Sequence, residues 1–116
     1  MKKILLCSED EMVRETLKEI ICLQYELIVV DSEEQSFHVL ENAKDITIVI
    51  IDINLTKNSG RQFQSQLKTN FPKLKIIQIT GFKAAGSKSK AIESKASGQI
   101  SKPFKEEEIL KAIKNC

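Results

Sequence analysis

The strongest constraint in this chain is the regular alternation of two kinds of segment. Short apolar runs rich in Ile and Val stand at Ile4–Cys7, Leu27–Val30, Ile46–Ile51 and Ile76–Ile79, with a weaker fifth run at Gln99–Ser101. Between them lie stretches whose apolar residues recur every three or four positions, the period of a helix lying against a core. The strand runs do not alternate with polar residues, which marks strands covered on both faces. Five such β–α units predict an open, doubly wound five-stranded parallel sheet, an α/β fold of the (βα)5 flavodoxin-like kind. At 116 residues the chain fits one domain, 1–116, large enough to fold without disulfides or a structural metal.

The helical segments can be placed more closely. A first helix begins near Glu11, with Met12, Val13, Thr16, Leu17, Ile20 and Ile21 on one face. Others fit Glu33–Glu41 (Phe37 and Leu40 inward), Gly60–Asn70 (Phe63 and Leu67 inward) and Lys105–Lys114 (Ile109, Leu110 and Ile113 inward). The last carries Glu106, Glu107 and Glu108 in its first turn and Lys111 and Lys114 near its end, a distribution that suits the helix dipole. A further helix is expected at Lys83–Lys95, a short or mobile one. Gly86, Ser87, Ser89 and Ser94 give that stretch poor intrinsic preference, and Ile92 is its one large apolar residue.

Composition narrows the function. With 41% hydrophobic and 29% charged residues, the chain reads as globular. A net charge of +2, from 18 basic and 16 acidic residues, argues against direct nucleic-acid binding. No apolar run reaches the length of a membrane helix. The apolar start ends at Cys7 and runs into Glu9, Asp10 and Glu11, so it reads as a buried strand rather than a signal peptide. Cys7, Cys22 and Cys116 have no metal or disulfide spacing and read as reduced thiols of a cytoplasmic protein.

Ligands of open parallel sheets bind outside the carboxyl ends of the strands. The residues due there are Ser8, Glu9 and Asp10 after the first strand, Asp52 after the third, Thr80 after the fourth, and Lys102 with Pro103 after the fifth. Carboxylates, a hydroxyl and an ammonium are suited to holding a hard divalent cation and offsetting the charge of a phosphoryl group. Each has a plainer role when taken alone. Glu9 and Asp10 suit a helix start, Asp52 a turn, Thr80 a strand and Lys102 a loop.

Four segments, in order, resemble the response-regulator receivers. They are Ile4-Leu5-Leu6-Cys7-Ser8-Glu9-Asp10-Glu11, Asp52-Ile53-Asn54-Leu55-Thr56-Lys57-Asn58-Ser59-Gly60, Ile76-Ile77-Gln78-Ile79-Thr80-Gly81, and Ser101-Lys102-Pro103-Phe104. Thr80 stands 28 positions after Asp52, and Lys102 a further 22. The resemblance covers essentially the whole chain. It implies that Asp52 is the phosphoacceptor, that Glu9, Asp52 and the backbone carbonyl of Asn54 hold Mg²⁺, with Asp10 as a substitute ligand, and that Thr80 and Lys102 bind the phosphoryl oxygens. It implies a sensor histidine kinase or phosphotransfer protein as donor, and a downstream partner protein or effector domain as recipient of the signal. It implies a signalling module rather than an enzyme.

The chain departs from that pattern in places. Ser8 stands where the family has the first of two adjacent acids. Thr56 replaces a usual Pro, Ser59 a common Asp and Lys95 a frequent Gly. Gln99 replaces the aromatic that commonly precedes the Lys by three. Ser8 and Gln99 favour an alternative, a receiver-like interaction module that works without phosphorylation. A nucleotide- or flavin-binding enzyme on the same sheet needs a Gly-rich first turn, and the acidic Ser8–Glu11 turn opposes it. A hydrolase finds no base, since the single His, His38, falls within a helix. For output, residues 81–95 are expected to change order on phosphorylation, with the last helix as a docking face.

Overall fold

In the computed structural model, the residues described are 2–52, 60–80, 98–101 and 105–115, and the side chains of Gly60, Arg61, Thr80, Gly98, Gln99 and Ser101 are left aside. Strands β1 (Lys3–Cys7), β2 (Glu26–Val30), β3 (Ile46–Asp52), β4 (Lys75–Thr80) and β5 (Gly98–Ser101) form one parallel sheet in the order β2-β1-β3-β4-β5. Four helices lie among the described residues: α1 (Glu11–Ile21), α2 (Glu33–Asn42), α3 (Gly60–Asn70) and α4 (Glu106–Lys114). The helix expected at Lys83–Lys95 lies outside them.

The helix starts are written in local chemistry. Asp10 caps α1, its Oδ1 accepting the Met12 N–H at 2.9 Å, and Ser32 caps α2, its Oγ accepting the Gln35 N–H at 3.2 Å. At α4 the Glu108 side chain accepts the Lys105 N–H at 2.9 Å.

Two apolar layers sandwich the sheet, one per face. On one face Ile4, Leu6, Ile48, Ile50, Ile77, Ile79 and Ile100 pack against α1 and α4 through Val13, Leu17, Ile21, Ile109 and Ile113. On the other, Leu5, Cys7, Val49, Ile51 and Ile76 pack against α2 and α3 through Leu40, Phe63 and Leu67. Successive residues of β1 and of the carboxyl half of β3 go to opposite layers, as strand geometry requires. This explains why the runs lack polar alternation. Edge strand β2 is the exception, only partly buried over Leu27–Val29.

The predicted inward face of α1 needs correction. Met12 is 75% exposed and Thr16 is also exposed. The buried stripe is Val13, Leu17 and Ile21, with Ile20 half-buried. Met12 and Thr16 precede Val13 and Leu17 by one residue, about 100° round the helix, which turns them off the sheet. Phe37 and Leu110 are likewise only half-buried.

Gln64 and Gln78 are polar residues buried on the α2–α3 side of the sheet. Gln64 of α3 donates from Nε2 to Oε1 of Gln78 in β4 at 2.6 Å, and both side chains are fully buried. The remaining amide atoms, Gln64 Oε1 and Gln78 Nε2, have no hydrogen-bond partner among the described residues.

Candidate functional site

The carboxyl end of the central strand β3 is where chemistry-bearing groups meet. Asp52, the last residue of β3, is 1% exposed. Neighbouring β1 ends at Cys7, and Ser8 follows with its backbone N–H donating to the Val30 carbonyl of β2 at 3.1 Å. By strand alternation Ser8 and Asp52 continue the faces of Leu6 and Ile50, so both project to the α1–α4 side. There the Ser8 hydroxyl donates to Asp52 Oδ2 at 3.0 Å. Ser8 Oγ in turn accepts the Asp10 N–H at 3.1 Å, and Arg14 Nη1 donates to the Ser8 carbonyl at 2.8 Å. A buried carboxylate thus meets a fixed hydroxyl at the start of α1.

The predicted site residues fall into three groups. Asp52 and the Ser8–Asp10 turn come together. Glu9 is exposed, and the Asp10 carboxylate serves as the α1 cap. Thr80 ends β4 opposite Ser101 of β5, on the strand where Ile79 pairs with Asp52. Its side chain, with Asn54 and Lys102, lies outside the described residues. Sequence reasoning missed Ser8 as a direct partner of Asp52, treating it as a lost charge, and missed Arg14. The signal for Ser8 was its position, one residue past a strand that neighbours β3.

Cys7, beside the site on the other face, is inert. Burial pushes its thiol from 9.0 up to about 11, the charges of Glu33, Asp52 and Asp31 add to this, and the Ser36 side chain opposes it. Its Sγ donates to the Ser32 carbonyl at 3.5 Å. Because the folded state holds this proton more tightly than the unfolded chain, the associated stability is whole below pH 9 and is lost as pH rises towards 11. The urea midpoint of the wild type is therefore expected to fall more steeply over that window than that of Cys7→Ala. At pH 8 a thiol reagent should modify exposed Cys22 and spare Cys7 until unfolding. Equal slopes, or equal reactivity of the two thiols, would contradict this burial.

An apolar cavity of about 390 Å³ lies at the opposite edge of the sheet, between the end of α2 and the α3–β4 turn, lined by Leu40, Ile46, Phe71 and Leu74 among others. Among the described residues no three His, Cys, Asp or Glu side chains are grouped so as to hold a metal ion. No helix among them is long and apolar enough to cross a membrane.

Comparison with known proteins agrees with this geometry. The response regulator receiver domain family matches residues 4–114. The chain is 29% identical over 115 residues to the transcriptional regulatory protein LnrK of Bacillus subtilis, covering 97% of this chain and 52% of that protein. It thus spans about half of that relative's length. It is 30% identical over 114 residues to the chemotaxis protein CheY of Halobacterium salinarum, covering 97% of this chain and 93% of that one. A response regulator receiver domain from Clostridium thermocellum superposes with a TM-score of 0.86 at 23% identity, over 99% of this chain and 93% of that chain. With a flavodoxin-like parallel sheet, an acid at the end of its central strand and a family match over nearly its whole length, this chain belongs to the CheY-like receiver domains of response regulators, the signalling modules of two-component systems.

Proposed function

We propose that Asp52 is the phosphoacceptor of this receiver, taking a phosphoryl group from a histidine kinase, a phosphotransfer protein or a small phosphodonor in the cytoplasm. The phosphoryl group then switches a surface read by a downstream partner protein or effector domain. The observation that carries this is the Asp52 carboxylate, buried at the carboxyl end of the central strand β3. A carboxylate attacks phosphorus usefully only when positioned in line and when the charge of the transferring group is offset. The new bond joins an Asp52 oxygen to phosphorus. The bond to the donor breaks, and its electron pair leaves with the donor. Thr80 and Lys102 are the proposed partners of the phosphoryl oxygens. The full (βα)5 architecture belongs to the same proposal, with α4 as part of the switching surface.

The oxygen-only chemistry of Asp52 and Glu9 fits Mg²⁺, and the Asn54 backbone carbonyl is the proposed third donor. Bound there, Mg²⁺ would neutralise charge on the phosphoryl oxygens. Asp10 is the weaker candidate ligand, because its carboxylate is engaged at the α1 cap. Millimolar Mg²⁺ is expected to raise the melting temperature, by roughly 1.4 kcal/mol of added stability at about ten times the Kd. Glu9→Gln should reduce that shift more than Asp10→Asn, which keeps a capping oxygen. The reverse order would reassign the ligand, and no shift at all would count against an assembled site.

A second reading, a phosphorylation-independent interaction module, is favoured by Ser8, since a hydroxyl donated to Asp52 supplies no second negative charge for a cation. Incubation with acetyl phosphate and Mg²⁺, followed by intact-mass measurement, separates the two. A gain of one phosphoryl group supports the first, and none supports the second.

A further inference from the structure

Ser8 does more than replace an acid. Its side chain is fully buried. Three contacts fix its place: its N–H on the Val30 carbonyl at 3.1 Å, the Asp10 N–H on its Oγ at 3.1 Å, and Arg14 on its carbonyl at 2.8 Å. Its single hydroxyl proton can point at Asp52 Oδ2, 3.0 Å away, or at the Asp10 carbonyl, 3.5 Å away. Distance and charge both select the carboxylate, because a hydrogen bond to an ionised acceptor is the stronger.

We infer that Ser8 is a catalytic residue for loss of the phosphoryl group, a hydroxyl that stabilises the Asp52 carboxylate as it departs and so sets a short signal lifetime. The inference rests on the phosphoacceptor reading. In the phosphorylated form the phosphoryl group sits on the carboxylate oxygen that Ser8 does not hold, and Oδ2 becomes a neutral carbonyl, a weaker acceptor. Hydrolysis adds water to phosphorus. The bond between phosphorus and the aspartyl oxygen breaks, its electron pair stays on Asp52, and the protons of water pass to phosphate and solvent. Phosphoryl transfer proceeds through a loose transition state in which the leaving oxygen already carries much of its charge. The Ser8 hydrogen bond therefore strengthens between the acyl phosphate and that transition state, which accelerates decay. In the forward direction the carboxylate is already charged and already held, so the bond changes little and the rate of phosphorylation hardly depends on it.

This asymmetry is the test. Full-length wild type and Ser8→Ala are labelled with acetyl phosphate and Mg²⁺, the donor is removed, and formation and decay of the label are followed separately by mass spectrometry. Ser8→Ala is expected to form label within about twofold of the wild-type rate and to lose it about tenfold more slowly. Ser8→Thr, which keeps the hydroxyl, should decay like wild type. Decay of Ser8→Ala at the wild-type rate overturns the inference, as does a fall in formation that matches the fall in decay, which would mark a merely structural role. If Ser8→Ala loses its far-UV helix signal, Ser8→Cys, similar in size and a weak donor, takes its place. Slower decay is again expected, and wild-type decay is again fatal to the idea. A wild type that never gains label overturns the phosphoacceptor reading and this inference with it. A labelled wild type whose lifetime ignores residue 8 overturns the inference alone.

Discussion

Asp52→Asn is expected to leave the domain folded and to abolish its gain of a phosphoryl group. The amide is nearly isosteric with the carboxylate, and its oxygen can still accept from the Ser8 hydroxyl 3.0 Å away. The neighbourhood on β1 and β4 need not rearrange. What is lost is the nucleophile: an amide oxygen carries no full negative charge and does not displace a donor from phosphorus. Intact-mass measurement after acetyl phosphate and Mg²⁺ should show labelled wild type and no labelled variant, with far-UV circular dichroism the same for both. The hydrogen bond retained is neutral rather than charge-assisted, a change of about 1 kcal/mol, so the melting temperature should move by only about 4–8 °C or less. Persistent label on the variant would move the phosphoacceptor to another residue.

The second large effect lies in the layer beneath α3. Phe63 is 1% exposed and packs among Leu40, Ile51, Leu67 and Ile76. Its ring meets Phe37 of α2 edge to face, with centroids 5.5 Å apart and planes at 78°. Phe63→Ala removes most of a large side chain from a close-packed interior and breaks this bridge between α2 and α3. The expected cost is about 3–5 kcal/mol, a large part of the roughly 5–15 kcal/mol that holds a domain folded. Urea unfolding should show a midpoint far below wild type, or a variant already partly unfolded. Met12→Ala, at a residue 75% exposed, is the control and should fall within about 0.5 kcal/mol. A Phe63→Ala cost as small as the control's would contradict the packing.

Much of the fold could be read from the sequence because its strands are extreme. Ile48-Val49-Ile50-Ile51 admits no solvent-facing member, so the run is an interior strand and needs helices on both sides. Helix limits were legible where a capping side chain marks them, as at Asp10 and Ser32. Around α1 the pattern proved too generous, because periodicity alone does not say how wide a stripe the sheet will cover, and Met12 and Thr16 fell outside it. At the site, Asp52 could be found because an acid closing an apolar strand at the sheet's carboxyl edge is chemically conspicuous. The Ser8 contact was less conspicuous, since its meaning depends on β1 lying beside β3, a pairing across 44 positions of sequence. Buried Ser36 was hidden for a local reason: its hydroxyl returns to the Ser32 carbonyl at 3.1 Å, so a polar residue sits inside with its hydrogen bond satisfied.

The Gln64–Gln78 pair bears on a problem that sheets of nearly uniform Ile and Val create for themselves. Slide such a strand by one residue, and one aliphatic side chain replaces another at little cost. Parallel pairing is then degenerate, and several misaligned sheets compete with the right one. Gln78 breaks the degeneracy. In the native alignment its amide meets Gln64, and Ile51 faces it across the ladder. Displaced by one, β4 would turn the amide away from Gln64 and into the layer of Ile4, Leu6, Ile50 and Ile113, where the loss of this partner costs roughly 1–3 kcal/mol or more. Two amide atoms without a partner among the described residues lower the stability of the native state, and the same side chain penalises its nearest competitors further. The strand that ends at Thr80 is held in step with the one that ends at Asp52 by a residue that takes no part in either one's chemistry.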